Sequence, residues 1–530
     1  MFIEKMVIVC YNMCEVLGMK ILDKLFSRIF IVGFILFLQV AFLLFLMFEF
    51  QLMFTIVKVI FILITVAEIV SIINSDKNTA YKMAWIIPMV AFPLFGGVIY
   101  FFAGGKRPAR KLRKKLDKAQ LHTDQYKPDC SVVLYEAEKQ DLAVKNIFAY
   151  LDKMGFPAYN KTDACFYPLG DYNFPVMLEE LHKAKHYIFL EYFIIDDGVM
   201  WNSILDVLTE KASMGVDVRL IYDDVGCISL LPMDFPKQME KRGIKCLRFN
   251  PFRPVLSSVV NNRDHRKILV IDGHTGFTGG INLADEYINK KQRFGHWKDN
   301  GIMLVGDGVW NLTSMFLTTW NAIKRTEWDY SLFYPQRYNE EMSMMPQGDG
   351  FICPYGDTPL DDEPVSENVY LNIINRAQKY LYITTPYLII DAEMQRALIL
   401  AASRGVDVRI ITPGIPDKKT IFQVTRSYYP QLIERGVKVY EYVPGFVHSK
   451  TVVSDDDIAT VGTINFDYRS LYLHFENGCM FYKSSVVHQV KEDFLETQQH
   501  CSQIVLDKNM KVGFLRGIYY AILRLFSPLM

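Results

Sequence analysis

The chain has 530 residues, enough for more than one hydrophobic core, and a formal net charge of +0 that by itself names no partner. Its nine cysteines are odd in number and lack CxxC or His–Cys spacing, so neither a disulfide framework nor a zinc site is suggested. Cys10 and Cys14, one helical turn apart, are too few for a metal and read as small apolar fillers.

Residues 1–28 form an N-terminal segment, and 29–105 read as a membrane anchor. Phe30–Phe48 carries no charge, Phe54–Ile73 is interrupted only by Lys58 and Glu68, and a third apolar run covers Met83–Ala103. Runs of ~18 or more apolar residues span hydrocarbon, whereas the apolar part of a cleaved signal is only ~7–15 residues. Directly after them come Lys106, Arg107, Arg110, Lys111, Arg113, Lys114, Lys115 and Lys118, with Asp117 the lone acid. Positive residues beside a span stay inside the cell, so the chain beyond Gly105 is expected to be cytoplasmic, on a multi-pass anchor in the plasma membrane. Two helices would leave the N-terminus inside. Three would put it outside, against Lys5, Lys20, Lys24 and Arg28, and both counts stay open. The basic linker, 106–134, either sets topology alone or also gathers anionic membrane lipid.

From there the chain repeats itself. ASMGVDVRLI at Ala212–Ile221 returns as ASRGVDVRII at Ala402–Ile411, and Tyr187-Ile188-Phe189-Leu190 is echoed by Leu381-Tyr382-Ile383-Thr384. The unit is domain-sized, far longer than the ~20–50 residues of a solenoid, and gives two halves at 135–345 and 346–505. Strands are predicted at Tyr187–Ile195, Asp217–Tyr222, Gly243–Phe249 and Lys267–Ile271 in the first half. In the second they fall at Tyr380–Thr385, Asp407–Thr412, Val437–Val443 and Thr451–Val453. Helical stretches such as Trp201–Met214 separate them, so each half is expected to be an α/β sandwich.

Each half holds one copy of His-x-Lys-x4-Asp: His265, Lys267 and Asp272, then His448, Lys450 and Asp455. Gly279 and Asn282 follow the first, and Gly462 and Asn465 follow the second at the same distance. With ten histidines in the chain, chance gives only about 0.1 such triplets. Residues i and i+2 of a strand share a face, so each half presents an imidazole and an ammonium side by side. Two lysines and two asparagines suit the nonbridging oxygens of a phosphodiester. Two histidines let one attack phosphorus while the other protonates the leaving alkoxide. Neither half is complete alone, so the halves are expected to face each other. No carboxylate cluster with metal spacing accompanies the motifs, and neither a metal nor another cofactor is expected. Asp272 and Asp455 belong to the motif, but a structural hydrogen bond at the strand-to-turn junction is the favoured role. His274, His296 and His474 lack the full motif and are expected at the surface or behind the site. Glu191 and Tyr387 either line a pocket or are structural.

The last segment, 506–530, is an amphipathic helix. Within Lys511–Met530, Arg516, Tyr520, Arg524 and Ser527 make one thin polar stripe on an otherwise apolar stretch. Such a helix suits the lipid interface or packs on the core.

With these motifs, roughly Tyr150–Cys501 resembles the phospholipase D superfamily. The N-terminal apolar hairpin ending in Pro93-Leu94-Phe95-Gly96, NRDHRKILVIDG, ITTPY and LHFENG resemble, more narrowly, the bacterial cardiolipin synthases; the extra run Phe30–Phe48 departs from their two-helix anchor. The resemblance implies that two phosphatidylglycerol molecules give cardiolipin and glycerol through a phosphatidyl-histidine. It implies His265 as nucleophile, His448 as general acid and then base, and Lys267, Lys450, Asn282 and Asn465 as phosphate holders. Each imidazole also needs a carboxylate on its other nitrogen. Asp299 in HWKD and Glu476 in HFENG lie suitably downstream. The same motifs would serve a phospholipase D using water, or a transfer to another alcohol. A nucleic-acid phosphodiesterase is disfavoured by the anchor and the lack of an interleaved basic and aromatic surface, and an inactive membrane scaffold by two intact motifs. Oligomeric state stays open.

Overall fold

The computed structural model describes residues 55–93, 96–104, 110–252, 261–337, 347–361, 363–506 and 514–529, with single helical positions at 37, 38, 41 and 45. The segment 1–28, Cys10, Cys14 and most of the run Phe30–Phe48 therefore lie outside the described residues. The seven described cysteines are all free.

The duplication is plain in the topology. The first half contributes β1 (Thr162–Tyr167), β2 (Tyr187–Tyr192), β3 (Asp217–Asp223), β4 (Lys245–Phe249), β5 (Ile268–Ile271), β6 (Thr275–Gly279), β7 (His296–Lys298) and β8 (Gly301–Gly306). Its sheet runs β1-β8-β6-β5-β2-β3-β4. The second half contributes β9 (Phe351–Asp357), β10 (Tyr380–Thr384), β11 (Leu388–Ile389), β12 (Asp407–Pro413), β13 (Lys438–Tyr442), β14 (Gly445–Val447), β15 (Thr451–Ser454), β16 (Ile458–Gly462), β17 (Phe466–Asp467), β18 (Glu476–Tyr482) and β19 (Cys501–Gln503). Its sheet repeats the same order as β9-β18-β16-β15-β10-β12-β13, with β19 added at the edge. In both, a parallel trio (β2-β3-β4, β10-β12-β13) joins an antiparallel remainder through the strand that follows His-x-Lys.

Those two strands, ILVI and TVVS, are buried on both faces, which is why they read as short unbroken runs of branched residues rather than as alternation. Each sheet has its own outer core, and a third core lies between the sheets. The middle core is filled symmetrically. Phe189 of β2 stacks on Phe316 of helix Val309–Ile323 at 4.5 Å, and Tyr382 of β10 stacks on Phe494 of helix Ser485–Gln499 at 4.7 Å. The architecture is mixed α/β and two-lobed, with the helices sandwiching each sheet.

Three features differ from the sequence reading. Helices Ser131–Gln140 and Leu142–Lys153 share the second half's outer core, where Arg376 binds Asp141 at 2.7 Å, so chain counted with the first half is packed on the other. The basic linker is no free tether: helix Arg110–Thr123 lies on helix Val309–Ile323, joined by a Thr123–Thr318 hydroxyl pair at 2.7 Å. Among the described residues, no helix is long and apolar enough to cross a membrane. The run Met83–Ala103 is broken: helix Thr79–Ala91 has 13 residues, about 20 Å of rise, and ends before Pro93, whose carbonyl accepts from Thr65 of the preceding helix Thr55–Ile73 at 2.5 Å.

Candidate active site

His265 and His448 do not sit on their strands. Both lie in the extended lead-in just before β5 and β15, and backbone hydrogen bonds from the opposite half fix that lead-in. His265 N–H donates to the Phe475 carbonyl at 2.9 Å, and Phe475 N–H returns a bond to Arg263 at 2.8 Å. His448 N–H donates to the Lys298 carbonyl at 2.7 Å, beside the parallel pair β7–β14 that also joins the halves. Phe475 immediately precedes Glu476, and Lys298 immediately precedes Asp299. Each half therefore holds the other half's histidine next to its own carboxylate.

The side chains complete the exchange. His265 Nδ1 is 2.9 Å from Glu476 Oε2, and His448 Nδ1 is 2.6 Å from Asp299 Oδ2. Both carboxylates are fully buried. A buried carboxylate facing an imidazole places the ring proton on Nδ1 and leaves Nε2 free to attack or to exchange a proton. Glu476 Oε2 also accepts from the Thr463 hydroxyl, and Asp299 Oδ1 accepts from Asn300 N–H at 2.9 Å.

Lys267 and Lys450 are each 1% exposed. Lys267 Nζ turns back on the His265 carbonyl at 2.6 Å, and Lys450 Nζ makes the equivalent contact with His448. Lys450 Nζ also lies 2.8 Å from His448 Nδ1, but that nitrogen serves one partner, and beside ionised Asp299 it is the donor. Burial pushes Lys267 down to about 7 and Lys450 to about 8, and the Lys450 charge depresses Lys267 further. Burial likewise lowers both histidines, His265 to about 3 and His448 to about 4, despite their carboxylates. Glu476 is held well below the usual carboxylate range by the His265 couple, in spite of its burial. At neutral pH the site thus holds two neutral imidazoles, two ionised carboxylates and two lysines close to losing their protons. A phosphate monoanion is the natural complement, since it would restore charge to both lysines.

The motif glycines are explained by close approach. A Cβ on Gly279, at φ +138°, would meet the Asn300 carbonyl at 2.5 Å, and one on Gly462 would meet the Asn477 carbonyl at 2.5 Å. The residue after each carboxylate therefore passes directly over a motif glycine of the same half.

The asparagines part company. Asn282 is committed: its Oδ1 accepts from Ile194 N–H at 3.0 Å, and its Nδ2 donates to the Tyr287 hydroxyl at 2.7 Å, leaving one N–H for a ligand. Asn465 is buried with an unpartnered Oδ1. Asp272 and Asp455 lie at the far ends of β5 and β15, outside the cluster, at φ 49° and 55°. Asp272 accepts from the N–H groups of Lys185, His186 and Tyr187 at 2.8 Å each. Asp455 does the same for Gln378, Lys379 and Tyr380 at 2.7–3.0 Å. Both fasten the loop that enters the neighbouring strand.

Of the two places expected for His474, the structure gives the one behind the site; its contact with His265 was missed. It is buried, its ring centroid 5.6 Å from that of His265, with Nδ1 3.7 Å from Glu476 Oε1 and neither ring nitrogen hydrogen-bonded. Only its place two residues before Glu476 could have signalled this. His265, His474 and Glu476 also form a group whose ligand atoms lie within 4.8 Å of one another, a grouping that the sequence spacing concealed. Aromatic walls were missed too: Phe193 stands 5.1 Å from His265, and Tyr287 and Trp297 stand 5.5 Å from His448. Glu191 pairs with Arg266 at 2.7 Å and is structural. The Tyr387 hydroxyl donates to Asp417 at 2.6 Å, His296 reaches Tyr442 at 3.0 Å, and His274 reaches Thr275 at 2.8 Å.

Known proteins align with this arrangement. A family described as "Cardiolipin synthase, PLD-like domain" matches residues 177–294 and 370–497, and one described as "Phospholipase_D-nuclease N-terminal" matches 60–105. An uncharacterized protein of Streptococcus mutans is 41% identical over 88% of this chain and 100% of its own length. Cardiolipin synthase 2 of Bacillus anthracis is 34% identical over 86% of this chain and 88% of its own. A cardiolipin synthase of Geobacillus kaustophilus is 33% identical over 88% and 92%. The crystal structure of phosphatidylserine synthase from Haemophilus influenzae superposes with a TM-score of 0.54 at 15% identity, covering 73% of this chain and 99% of that one, a likeness of fold.

Proposed function

This chain belongs to the phospholipase D-like cardiolipin synthase family and is an enzyme that transfers phosphatidyl groups, and we propose that it joins two phosphatidylglycerol molecules into cardiolipin and glycerol. The observation that carries the transfer is the pair of reciprocal couples, Glu476 to His265 and Asp299 to His448, which make one two-histidine site out of two halves, and the likeness to cardiolipin synthases supports phosphatidylglycerol as donor and acceptor.

The phosphate of the first lipid enters between the imidazoles and charges Lys267 and Lys450. The same negative charge lets His448 take up a proton at Nε2, stabilised by Asp299. His265 Nε2 attacks phosphorus, the bond to the head-group glycerol breaks, and His448 protonates the departing alkoxide. Phosphatidyl-His265 carries a cationic ring, which Glu476 stabilises. His448, now neutral, takes the proton from a hydroxyl of the second lipid, whose oxygen attacks phosphorus as the P–N bond breaks. Both histidines return to their starting states. Asn465 and the remaining N–H of Asn282 contribute donors to the phosphate, and Asp272 and Asp455 act only through the backbone they hold.

In this scheme 135–345 and 346–505 are the two halves, 29–105 holds the chain on the cytoplasmic face of the bacterial plasma membrane, and 506–530 closes the assembly. The apolar surface of helix Thr55–Ile73, where Leu63 and Val66 are exposed, supports a membrane contact. The test is lipid analysis by mass spectrometry after expression in a host lacking cardiolipin. Cardiolipin accumulation supports the proposal; phosphatidic acid as the main product makes the acceptor water, and a different phospholipid makes it another alcohol.

A further inference from the structure

The C-terminal helix Phe514–Phe526 has two unlike sides. One side is fastened to helix Lys419–Ile433 of the second half. Arg524 Nε donates to the Ser427 hydroxyl at 2.8 Å, its guanidinium lies 4.4 Å over the Tyr428 ring, and the Tyr519 hydroxyl donates to Gln423 at 3.1 Å. Leu523 packs on the second half's core. The other side is bare: Ile518 is 43% and Ile522 is 51% exposed. The same helix, with the turn Ser527–Leu529, lies against helix Thr79–Ala91, whose own Ile87 and Val90 are exposed. Helix Thr79–Ala91 adjoins both the C-terminal helix and helix Thr55–Ile73, and the three together expose, with Leu63 and Val66 on the last, an amount of apolar side chain that soluble proteins rarely leave open.

This patch is tied to the active site by a short path. Asn78, which caps helix Thr79–Ala91, donates to Asp391 at 2.8 Å and to the Tyr472 hydroxyl at 2.9 Å. Tyr472 ends helix Tyr468–Tyr472, which starts just after Asn465. Glu476 follows Tyr472 by four residues, at most about 14 Å of chain.

We propose that the C-terminal helix is a second membrane-binding element, which joins the N-terminal helices in one apolar platform lying against the bilayer. Its occupant is lipid, because the helix adjoins Thr79–Ala91, part of the segment proposed above to hold the membrane, and because Thr79–Ala91 is hydrogen-bonded through Asn78 to the chain that leads to Glu476. The platform then sets the His265–His448 cleft at the depth of the lipid phosphates, so that both substrates enter sideways from the membrane. This rests on the substrate being a membrane lipid.

The test uses the full chain in vesicles of phosphatidylcholine and phosphatidylglycerol. Ile522→Cys carries an environment-sensitive fluorophore, and the signal of the identically treated parent is subtracted. Brominated lipid should quench the label by at least half while aqueous iodide has little effect, and the reverse should hold for a label at Met233→Cys on the exposed surface of the first half. Ile518→Asp with Ile522→Asp should lower turnover of vesicle lipid at least tenfold, leave thermal unfolding in place, and spare turnover of dispersed short-chain phosphatidylglycerol. A label at 522 that iodide reaches and brominated lipid does not would overturn the proposal, as would an efficient 522–522 disulfide between two copies. Quenching by lipid together with phosphatidic acid as product would keep the platform while refuting the synthase assignment.

Discussion

Replacing each buried carboxylate by its amide should have two different effects, because the two acids are satisfied differently. Glu476 Oε2 receives both His265 Nδ1 and the Thr463 hydroxyl, while Oε1 has no hydrogen bond. Glu476→Gln can keep its carbonyl on those two donors and turn its NH2 toward His474, so the His265 tautomer survives and only the charge is lost. That charge faces a ring that becomes cationic at about 4 Å, worth roughly 4 kcal/mol at an effective permittivity of ~20. The expected loss is about a thousandfold in the rate of phosphatidyl-enzyme formation. Asp299 has a donor on each oxygen, His448 Nδ1 and Asn300 N–H. Asp299→Asn must offer its NH2 to one of them. Keeping the Asn300 bond drives the His448 proton to Nε2, where the ring can no longer accept. Reversing a catalytic imidazole's tautomer costs about ten-thousandfold, and here it should fall hardest on the second step, when His448 must take the acceptor's proton. Glycerol release in a single turnover and cardiolipin formation in steady state separate the two steps. Either amide variant within tenfold of the parent in both assays would refute the coupling of carboxylate to imidazole.

Asp272→Ala removes the acceptor of three backbone N–H groups and should destabilise the protein by roughly 2–3 kcal/mol, read in urea unfolding, with the residual folded enzyme still active; unchanged stability with lost activity would place Asp272 in the chemistry. Because Lys267 and Lys450 are lowered to about 7 and 8, their charged forms disappear as pH rises, so kcat/KM should decline through about pH 7–8 while kcat, with phosphate bound, holds to higher pH. A flat kcat/KM up to pH 10 would contradict that sign. EDTA should leave activity unchanged, since the buried ammonium groups supply the counter-charge beside the His265–His474–Glu476 trio; loss that a divalent ion restores would assign the trio a metal.

Much of this was legible in the sequence because the chemistry is repeated. Two motifs in register announced two halves, and their branched, fully buried strands marked the strand that follows each His-x-Lys. Asp299 and Glu476 were found from their position downstream, but which histidine each one serves was not, because the exchange is set by how the halves pack. The sequence left His474 at the surface or behind the site for the same reason: nothing local distinguishes a histidine that faces another half's imidazole. The helices at 131–153 crossed to the second half through core contacts of Val144, Ile147 and Phe148, with the Arg376–Asp141 ion pair beside them, which leave no mark in local periodicity. The broken helix after Ala91 was readable from Pro88 and Pro93, and the apolar count alone concealed it.

The account stands most directly on where the phosphatidyl group resides. His448→Asn slows the first step, for want of the acid that protonates glycerol, and blocks the second, for want of the base, so long incubation with phosphatidylglycerol labelled in its phosphate should leave the label on the peptide that contains His265. Mass spectrometry of the quenched, digested enzyme reads the site. Label on His265, absent in the His265→Asn, His448→Asn double variant, is the predicted result. Label on a peptide of the second half, or none on any histidine while the parent turns over, would contradict the assignment of nucleophile and the composite site built on it.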